Sequence, residues 1–131
     1  MELKSEAKGK TMKIAIFSNG HTDVYKGKRA VKAAWMFEYK GKTYSGHSLD
    51  AEKANKTANN TLRSEADCEV FKQNKAFNTF YMSRNYPISC IGRVNAHLKK
   101  HGFKSTNELA AARRIAIDNE ISGVKIEIVT I

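Results

Sequence analysis

The stretch that decides the fold is residues 31–47, which read VKAAWMFEY, then KGK, then TYSGH. The first part is rich in β-branched and aromatic residues, and Trp35 and Phe37 fall on one face at the two-residue period of a strand. Lys40-Gly41-Lys42 is a tight turn signal, after which the chain runs back as a second strand. This stretch predicts an antiparallel hairpin.

Two further segments extend the predicted sheet. Residues 13–17 (KIAIF) form a short apolar run that ends at a Ser-Asn-Gly turn. The last eight residues, VKIEIVTI, alternate apolar and polar side chains, and this is the period of a half-buried strand. The final strand needs a sheet to join, either its own or that of a partner copy. We therefore expect a homo-oligomer formed through the C-terminal strand.

The segment between the hairpin and the last strand has helical periodicity and about four start signals. Ser48, Ser64 and Ser105 are N-cap candidates, and acidic residues follow each of them within the first turn. Pro87 ends the second helix, and Gly102 is placed to end the third in a left-handed conformation. The last of the four runs from the capping box at Ser105 to Gly123.

The predicted architecture is therefore α+β, with a small antiparallel sheet of three N-terminal strands plus the C-terminal strand, packed with about four helices. We expect residues 1–11 to be a flexible N-terminal extension and residues 12–131 to form a single α+β domain. No apolar run approaches the roughly 18 residues of a membrane helix, and residues 1–11 lack the apolar core of a secretory signal. We expect a cytoplasmic protein, with Cys68 and Cys90 as two buried thiols in preference to the alternative of one disulfide between them.

Charge is the feature that bears most on function. The chain has 23 Lys and Arg against 13 Asp and Glu, a formal net charge of +10. The excess is concentrated before residue 49 and again after residue 87, while the segment between is nearly neutral. Lysine and arginine clusters on connections are suited to phosphate. The phosphate-contacting candidates are Lys26, Lys28, Arg29, Lys40 and Lys42.

No motif indicates catalysis, a metal or a cofactor. His97 and His101 are four residues apart, but two ligands do not make a site, and the lysines between them would repel a cation. The nucleophile motif GxSxG and the glycine-rich phosphate loop are both absent. The sequence therefore predicts a protein that is not an enzyme and uses no cofactor.

A second set of candidates lies in the C-terminal half, where an arginine beside an aromatic ring can stack a base and hold a phosphate. Arg114 is expected to pair with Asp118 one helical turn on, whereas Arg113 needs a partner from elsewhere. The ligand-binding candidates are Tyr86, Arg93, Asn95, Arg113 and Arg114.

Three family resemblances bear on the function. Residues 39–62 resemble the hairpin and helix of double-stranded-RNA-binding domains, although the helix opens with Asp50 and Glu52 in place of lysines. The front half is similar to the ribonuclease H fold, with Asn19 and Asn107 where that family has catalytic acids. This similarity implies a fold without nuclease activity.

The third resemblance is to the phage Thoeris anti-defence proteins, which sequester cyclic ADP-ribose signals without cutting them. Tyr86, Asn95 and Arg113 match the spacing of that family's pocket, and Ile117 stands where it has a second arginine. Two functions are thus expected: a non-enzymatic nucleic-acid- or nucleotide-binding protein or, alternatively, a phage counter-defence sponge for a cyclic nucleotide. A metal-dependent nuclease is the third and weakest hypothesis.

Overall fold

A computed structural model describes residues 11–83 and 85–131. The predicted N-terminal extension falls almost wholly outside these residues. The elements are β1 (Thr11–Ile16), β2 (Thr22–Gly27), β3 (Ala33–Tyr39), β4 (Lys42–Ser48), α1 (Ala51–Gln73), α2 (Ile91–His101), α3 (Thr106–Ile121) and β5 (Glu127–Thr130). Short 3-10 turns at Lys75–Phe77, Thr79–Met82 and Ile88–Cys90 connect α1 to α2. The α+β class predicted from the sequence is confirmed.

The described chain divides into two compact units. The sheet unit contains the residues up to Leu62 together with Gly123–Ile131, and the helical unit is Arg63–Ser122. The boundary falls within α1. Within the described residues, no helix combines the length and apolarity needed to cross a membrane. The single domain expected from the sequence stays a prediction.

The strands of the sheet unit form two antiparallel sheets, where one was predicted. β1 pairs with β2, and the other sheet has the order β4-β3-β5. Ala15 and Phe17 pack with Ala34 and Met36, and the half-buried Val129 lies against this cluster. The sequence of β2, TDVYKG, is mostly polar and was not among the predicted strands. Pairing with β1 stabilises β2 as a strand although several of its residues have little intrinsic strand propensity.

The C-terminal strand joins the sheet of its own chain. β5 runs antiparallel to β3, with Ile128 opposite Trp35 and Val129 opposite Ala34. The expected homo-oligomer therefore cannot be argued from an unpaired C-terminal strand and stays a prediction.

One long helix replaces two of the predicted ones. α1 continues through Ser64 because a buried stripe with a spacing of four residues runs along its whole length. This stripe consists of Ala54, Ala58, Leu62, Ala66 and Val70. The helix ends before Asn74, whose side chain accepts a hydrogen bond from the backbone N–H of Ala76 and opens the first 3-10 turn. Asn78 caps the next turn in the same way, so Phe77 and Tyr81 are not on the helix where they were predicted.

The C-terminal end of α2 and the N-terminal end of α3 agree with the sequence prediction, while α3 itself ends at Ile121, before the predicted Gly123. Gly102 ends α2 with a φ of 79°, in the left-handed region that favours glycine. The Ser105 hydroxyl caps α3 by accepting a hydrogen bond from the backbone N–H of Glu108 at 3.1 Å. Both signals depend on residues that are close in the sequence, so both could be predicted from it.

Gly46 makes room for the one tryptophan of the chain. It lies directly opposite Trp35 across the β3–β4 pair, and the indole ring covers it. A Cβ built at Gly46 would lie 2.8 Å from Cζ2 of Trp35, closer than real Cβ atoms approach another atom. Because Trp35 is buried, its ring has little room to yield.

We expect Gly46→Ala to lower the free energy of unfolding by about 1–3 kcal/mol, the usual cost of an overpacked core. Urea denaturation followed by the fluorescence of Trp35 measures the change. Gly92→Ala is the control because it adds the same methyl group in α2 with no atom within 4 Å. Equal midpoints for Gly46→Ala and the parent protein would contradict the prediction.

Candidate functional site

The first candidate surface is the hairpin tip, formed by Lys40, Gly41 and Lys42. The backbone φ angles of Lys40 and Gly41 are 53° and 78°, and Tyr39 pairs directly with Lys42. A two-residue connection with both φ angles positive is a type I′ turn, which suits asparagine and glycine. Lysine in this conformation costs roughly 1–2 kcal/mol. Lys40 and Lys42 are both exposed at this narrow, well-defined tip.

The second surface is the end of β2 and the β2–β3 connection that follows it, where Lys26, Lys28 and Arg29 are exposed. Its backbone is held in place because the N–H of Arg29 donates a 3.0 Å hydrogen bond to the hydroxyl oxygen of Tyr25. The Tyr25 ring passes over Gly27, and a Cβ at that position would collide with the phenol. The three cations are thus presented on an ordered stretch of backbone.

Tyr25 is itself anchored to β4. Its ring lies against the His47 ring, with 5.5 Å between the centroids. The Nδ1 atom of His47 is 3.5 Å from Oδ2 of Asp23, and the His47 side chain is 5% exposed. Within the part of the chain that the structure describes, Nε2 of His47 has no hydrogen-bond partner. This packing ties the β2–β3 connection to the end of β4.

The five predicted phosphate-contacting residues therefore fall into two groups. The N–H of Lys32 donates to the carbonyl of Ser48 at 3.1 Å, so the β2–β3 connection lies beside the last residue of β4. The hairpin tip lies at the first residue, Lys42. At roughly 3.3 Å per residue, β4 separates the two groups by about 20 Å. One phosphate cannot contact both groups, whereas a chain of phosphates can.

Arg113 has a structural partner in the helical unit. Its guanidinium bonds the Asp67 carboxylate on α1 through Nε and Nη2, and Nη1 lies 3.5 Å from the sulfur of Met82. The Arg113 side chain is 14% exposed. This is the partner from elsewhere that the sequence required, and it engages the donors that a ligand would use.

Arg114 is exposed, and its predicted pairing with Asp118 is wrong. Asp118 accepts instead from Nη1 of Arg63 on α1 at 2.8 Å. Asp118 therefore bridges α3 to α1 and does not pair with its neighbour one turn back on α3.

Tyr86 and Asn95 lie in different segments of the helical unit. Tyr86 is half-buried just before Pro87, and Asn95 is exposed on α2 beside the buried Val94. Among the hydrogen bonds, ion pairs and ring contacts of residues 11–83 and 85–131, none joins Tyr86, Asn95 and Arg113. Their role as a ligand site stays a prediction.

A row of aromatic rings in the helical unit was not predicted. We call Phe80, Tyr81, His97 and His101 the ring row. Consecutive ring centroids are 5.0, 3.9 and 4.6 Å apart, and the rings of Tyr81 and His97 are nearly parallel at 10°. The guanidinium of Arg93 lies 5.3 Å from the centroid of the Phe80 ring. The spacing of Arg93, His97 and His101 on one helical face was the signal that could have indicated this arrangement.

The protonation of the ring row is defined by its neighbours. Nε2 of His97 is 2.8 Å from the carbonyl oxygen of Ala76, which can only accept, so this nitrogen carries the proton. The pKa of His101 is lowered from its usual 6.5 by desolvation and by the nearby His97 and Lys100. These neighbours therefore favour the neutral form of His101. The positive charge beside the row comes from Arg93, Lys99 and Lys100, all exposed.

A cavity of about 540 Å³ in the sheet unit has a different character. Two carboxylates line it, and both accept hydrogen bonds from the turn after β1. Glu127 accepts from the N–H and hydroxyl of Ser18 at 3.0 and 2.6 Å, and Glu38 accepts from the side-chain amide of Asn19 at 2.6 Å. Asn19 thus braces the turn through its bond to Glu38. Lys125 also lines the cavity, but the two carboxylates outnumber it, so the cavity suits phosphate poorly.

The described residues offer no metal cluster and no disulfide. No group of three His, Cys, Asp or Glu side chains that could hold a metal ion occurs among them. Cys68 and Cys90 are free thiols; Cys68 is exposed and Cys90 half-buried, so the prediction of two buried thiols is wrong. Cys68 follows Asp67 on α1, one position from the face that contacts Arg113.

Comparison with known proteins returned no matching family model, no matching curated protein and no matching solved structure. The function is therefore argued from the chemistry of these surfaces.

Proposed function

We propose that this chain is a non-enzymatic protein that binds nucleic acid through its phosphates. The observation that supports the proposal is the pair of exposed basic groups at the two ends of β4. Each group has an ordered backbone: the hairpin tip through its type I′ turn, and the β2–β3 connection through the Tyr25 hydroxyl. Because the backbone is already ordered, only the lysine and arginine side chains lose conformational freedom when a ligand arrives.

The spacing of the two groups favours a polymer over one small nucleotide. About 20 Å of strand separates them, which is several times the distance between successive phosphates of a nucleic-acid strand. A polymer gains affinity from both groups because each neutralised phosphate releases condensed counterions. The charge of +10 adds attraction at longer range. An exposed thiol at Cys68 suits the reducing cytoplasm that we propose as the location.

The proposal predicts strongly salt-dependent binding to a fluorescein-labelled 20-nucleotide DNA strand. Lys40→Gln/Lys42→Gln should weaken binding about tenfold or more at 0.1 M salt. The slope of log affinity against log salt should become shallower by about 1.4, since each lost contact contributes about 0.7 for a single strand. Fluorescence anisotropy between 50 and 200 mM salt measures both quantities.

The matched control is Lys53→Gln/Lys56→Gln, which removes the same charge from exposed positions on α1. It should bind more tightly than the hairpin-tip variant. Equal losses would reduce the effect to net charge, and affinity that does not change with salt would overturn the proposal. The recovered strand should be intact after incubation with Mg²⁺, because the protein is proposed to bind without cleaving.

The alternative is a sponge that sequesters a cyclic ADP-ribose type of signal as a homo-oligomer. The exposed apolar side chains Ile14, Ile16 and Val24 favour it because assembly would cover them. They share the outer face of the β1–β2 pair. Light scattering of the purified protein, with mass spectrometry of any nucleotide released by heat, separates the two functions. An oligomer that releases a small cyclic nucleotide and ignores the 20-nucleotide strand would favour the sponge.

A further inference from the structure

We infer that Phe80 and Arg93 form a stacking platform for an unpaired base, so that the nucleic acid bound is single-stranded. The inference rests on the proposed function and adds the class of strand. Phe80 is 38% exposed in a 3-10 turn, and the guanidinium of Arg93 lies 5.3 Å from its ring centroid. Together they present an apolar ring and a cation at one exposed point of the helical unit.

The surroundings of Phe80 keep its ring in place. Its backbone N–H donates to the side-chain oxygen of Asn78 at 3.0 Å, which defines the turn. The Tyr81 ring meets the Phe80 ring edge-on at an interplanar angle of 84°. Tyr81 in turn stacks on His97, whose Nε2 is bonded to the carbonyl oxygen of Ala76. The exposed ring is therefore the outer end of a braced row rather than a loose side chain.

An unpaired base is the ligand that this arrangement suits. Aromatic rings stack on bases of any identity, and an arginine beside the ring adds a cation–π contribution and a phosphate partner. In a duplex the base faces are covered by their neighbours, so an exposed ring has nothing on which to stack. Lys99 and Lys100 are exposed farther along α2 and can contact the following phosphates.

The helical unit also holds a comparison pair. Lys75 lies 4.5 Å from the centroid of the Phe71 ring, so Phe71 also carries a cation–π contact. Phe71 is half-buried on α1, and Lys75 follows it four residues later, just after the end of the helix. Phe71 is not a member of the ring row. A change at Phe71 therefore controls for the loss of a ring without loss of the platform.

The test uses a 12-nucleotide oligothymidine with a single central 2-aminopurine, whose fluorescence falls when it stacks on an aromatic ring. The parent protein should quench this signal and should bind the strand more tightly than the matched duplex. Phe80→Leu keeps an apolar side chain but removes the ring. It should abolish the quenching and weaken binding about five- to hundredfold, the range for one stacked base. Arg93→Lys keeps the charge but loses the planar group, and should weaken binding less.

Phe71→Leu should leave both the quenching and the affinity as in the parent. Urea denaturation followed by far-ultraviolet circular dichroism checks that each variant is folded. The inference is overturned if folded Phe80→Leu quenches like the parent or if the duplex binds as tightly as the strand. In either case salt-dependent binding through the hairpin tip would still stand. Failure of the stacking inference is therefore distinguishable from failure of the proposed function. If AMP alone displaces the strand from the platform, the ligand is a free nucleotide and the inference is wrong.

Discussion

Phe37→Ala should remove about 3–5 kcal/mol from the free energy of unfolding, the range for a fully buried phenylalanine. Phe37 is 0% exposed in the middle of β3. Its ring stacks between Trp35 and Tyr44, with centroid distances of 5.9 and 4.9 Å and interplanar angles of 16° and 15°. Truncation would leave a cavity between two rings that cannot close it. Small domains have only about 5–15 kcal/mol in total, so the loss is large.

Urea denaturation followed by Trp35 fluorescence measures this change. Phe37→Leu keeps most of the volume and should lose less, which provides a folded variant if Phe37→Ala does not fold. Ile16→Ala is the surface control because Ile16 is exposed on β1, and it should change stability by only about 0.5 kcal/mol. A midpoint for Phe37→Ala close to that of Ile16→Ala would contradict the packing described for β3.

Arg113→Ala should lower the free energy of unfolding by about 1–3 kcal/mol. The change removes the partner of Asp67 and leaves that carboxylate with its desolvation uncompensated. The figure is below that for a fully buried pair because Asp67 retains a third of its exposure. Arg113→Lys should recover only part of the loss, since an ammonium cannot reproduce the planar fork. Circular dichroism reports the helical unit, where the pair lies.

Arg114→Ala is the adjacent control, and its stability should stay within about 0.5 kcal/mol of the parent. A double-mutant cycle with Asp67→Asn isolates the coupling between the two side chains. If Arg113→Ala kept full stability but lost ligand, Arg113 would be a ligand contact, as the resemblance to the Thoeris anti-defence proteins implies. The ion pair with Asp67 predicts the opposite result.

The parts of the fold that could be predicted from sequence are those set by near neighbours. The hairpin at residues 31–47, the left-handed Gly102 and the Ser105 cap each depend on residues within a few positions. The predicted break at Ser64 failed for a related reason. A serine caps a helix only where the helix begins. At Ser64 the burial of the apolar stripe on both sides stabilises one continuous helix instead.

The site was predicted less well because its contacts are long-range. Arg113 and Asp67 are 46 positions apart, and no local pattern pairs them. The ring row joins a 3-10 turn to α2, so its stacking depends on where Asn74 and Asn78 bend the chain. The basic residues were found by composition, but their division between the two ends of β4 required the strand register.

The left-handed lysine at position 40 has a consequence for how this hairpin can change. Glycine or asparagine there would relieve the backbone and stabilise the turn, at the loss of one positive charge. At this one residue, the stability of the turn and the attraction for phosphate therefore favour different side chains. Selection for folding alone would replace the lysine with glycine or asparagine. A lysine kept at this position in related chains would therefore indicate that its charge has a function.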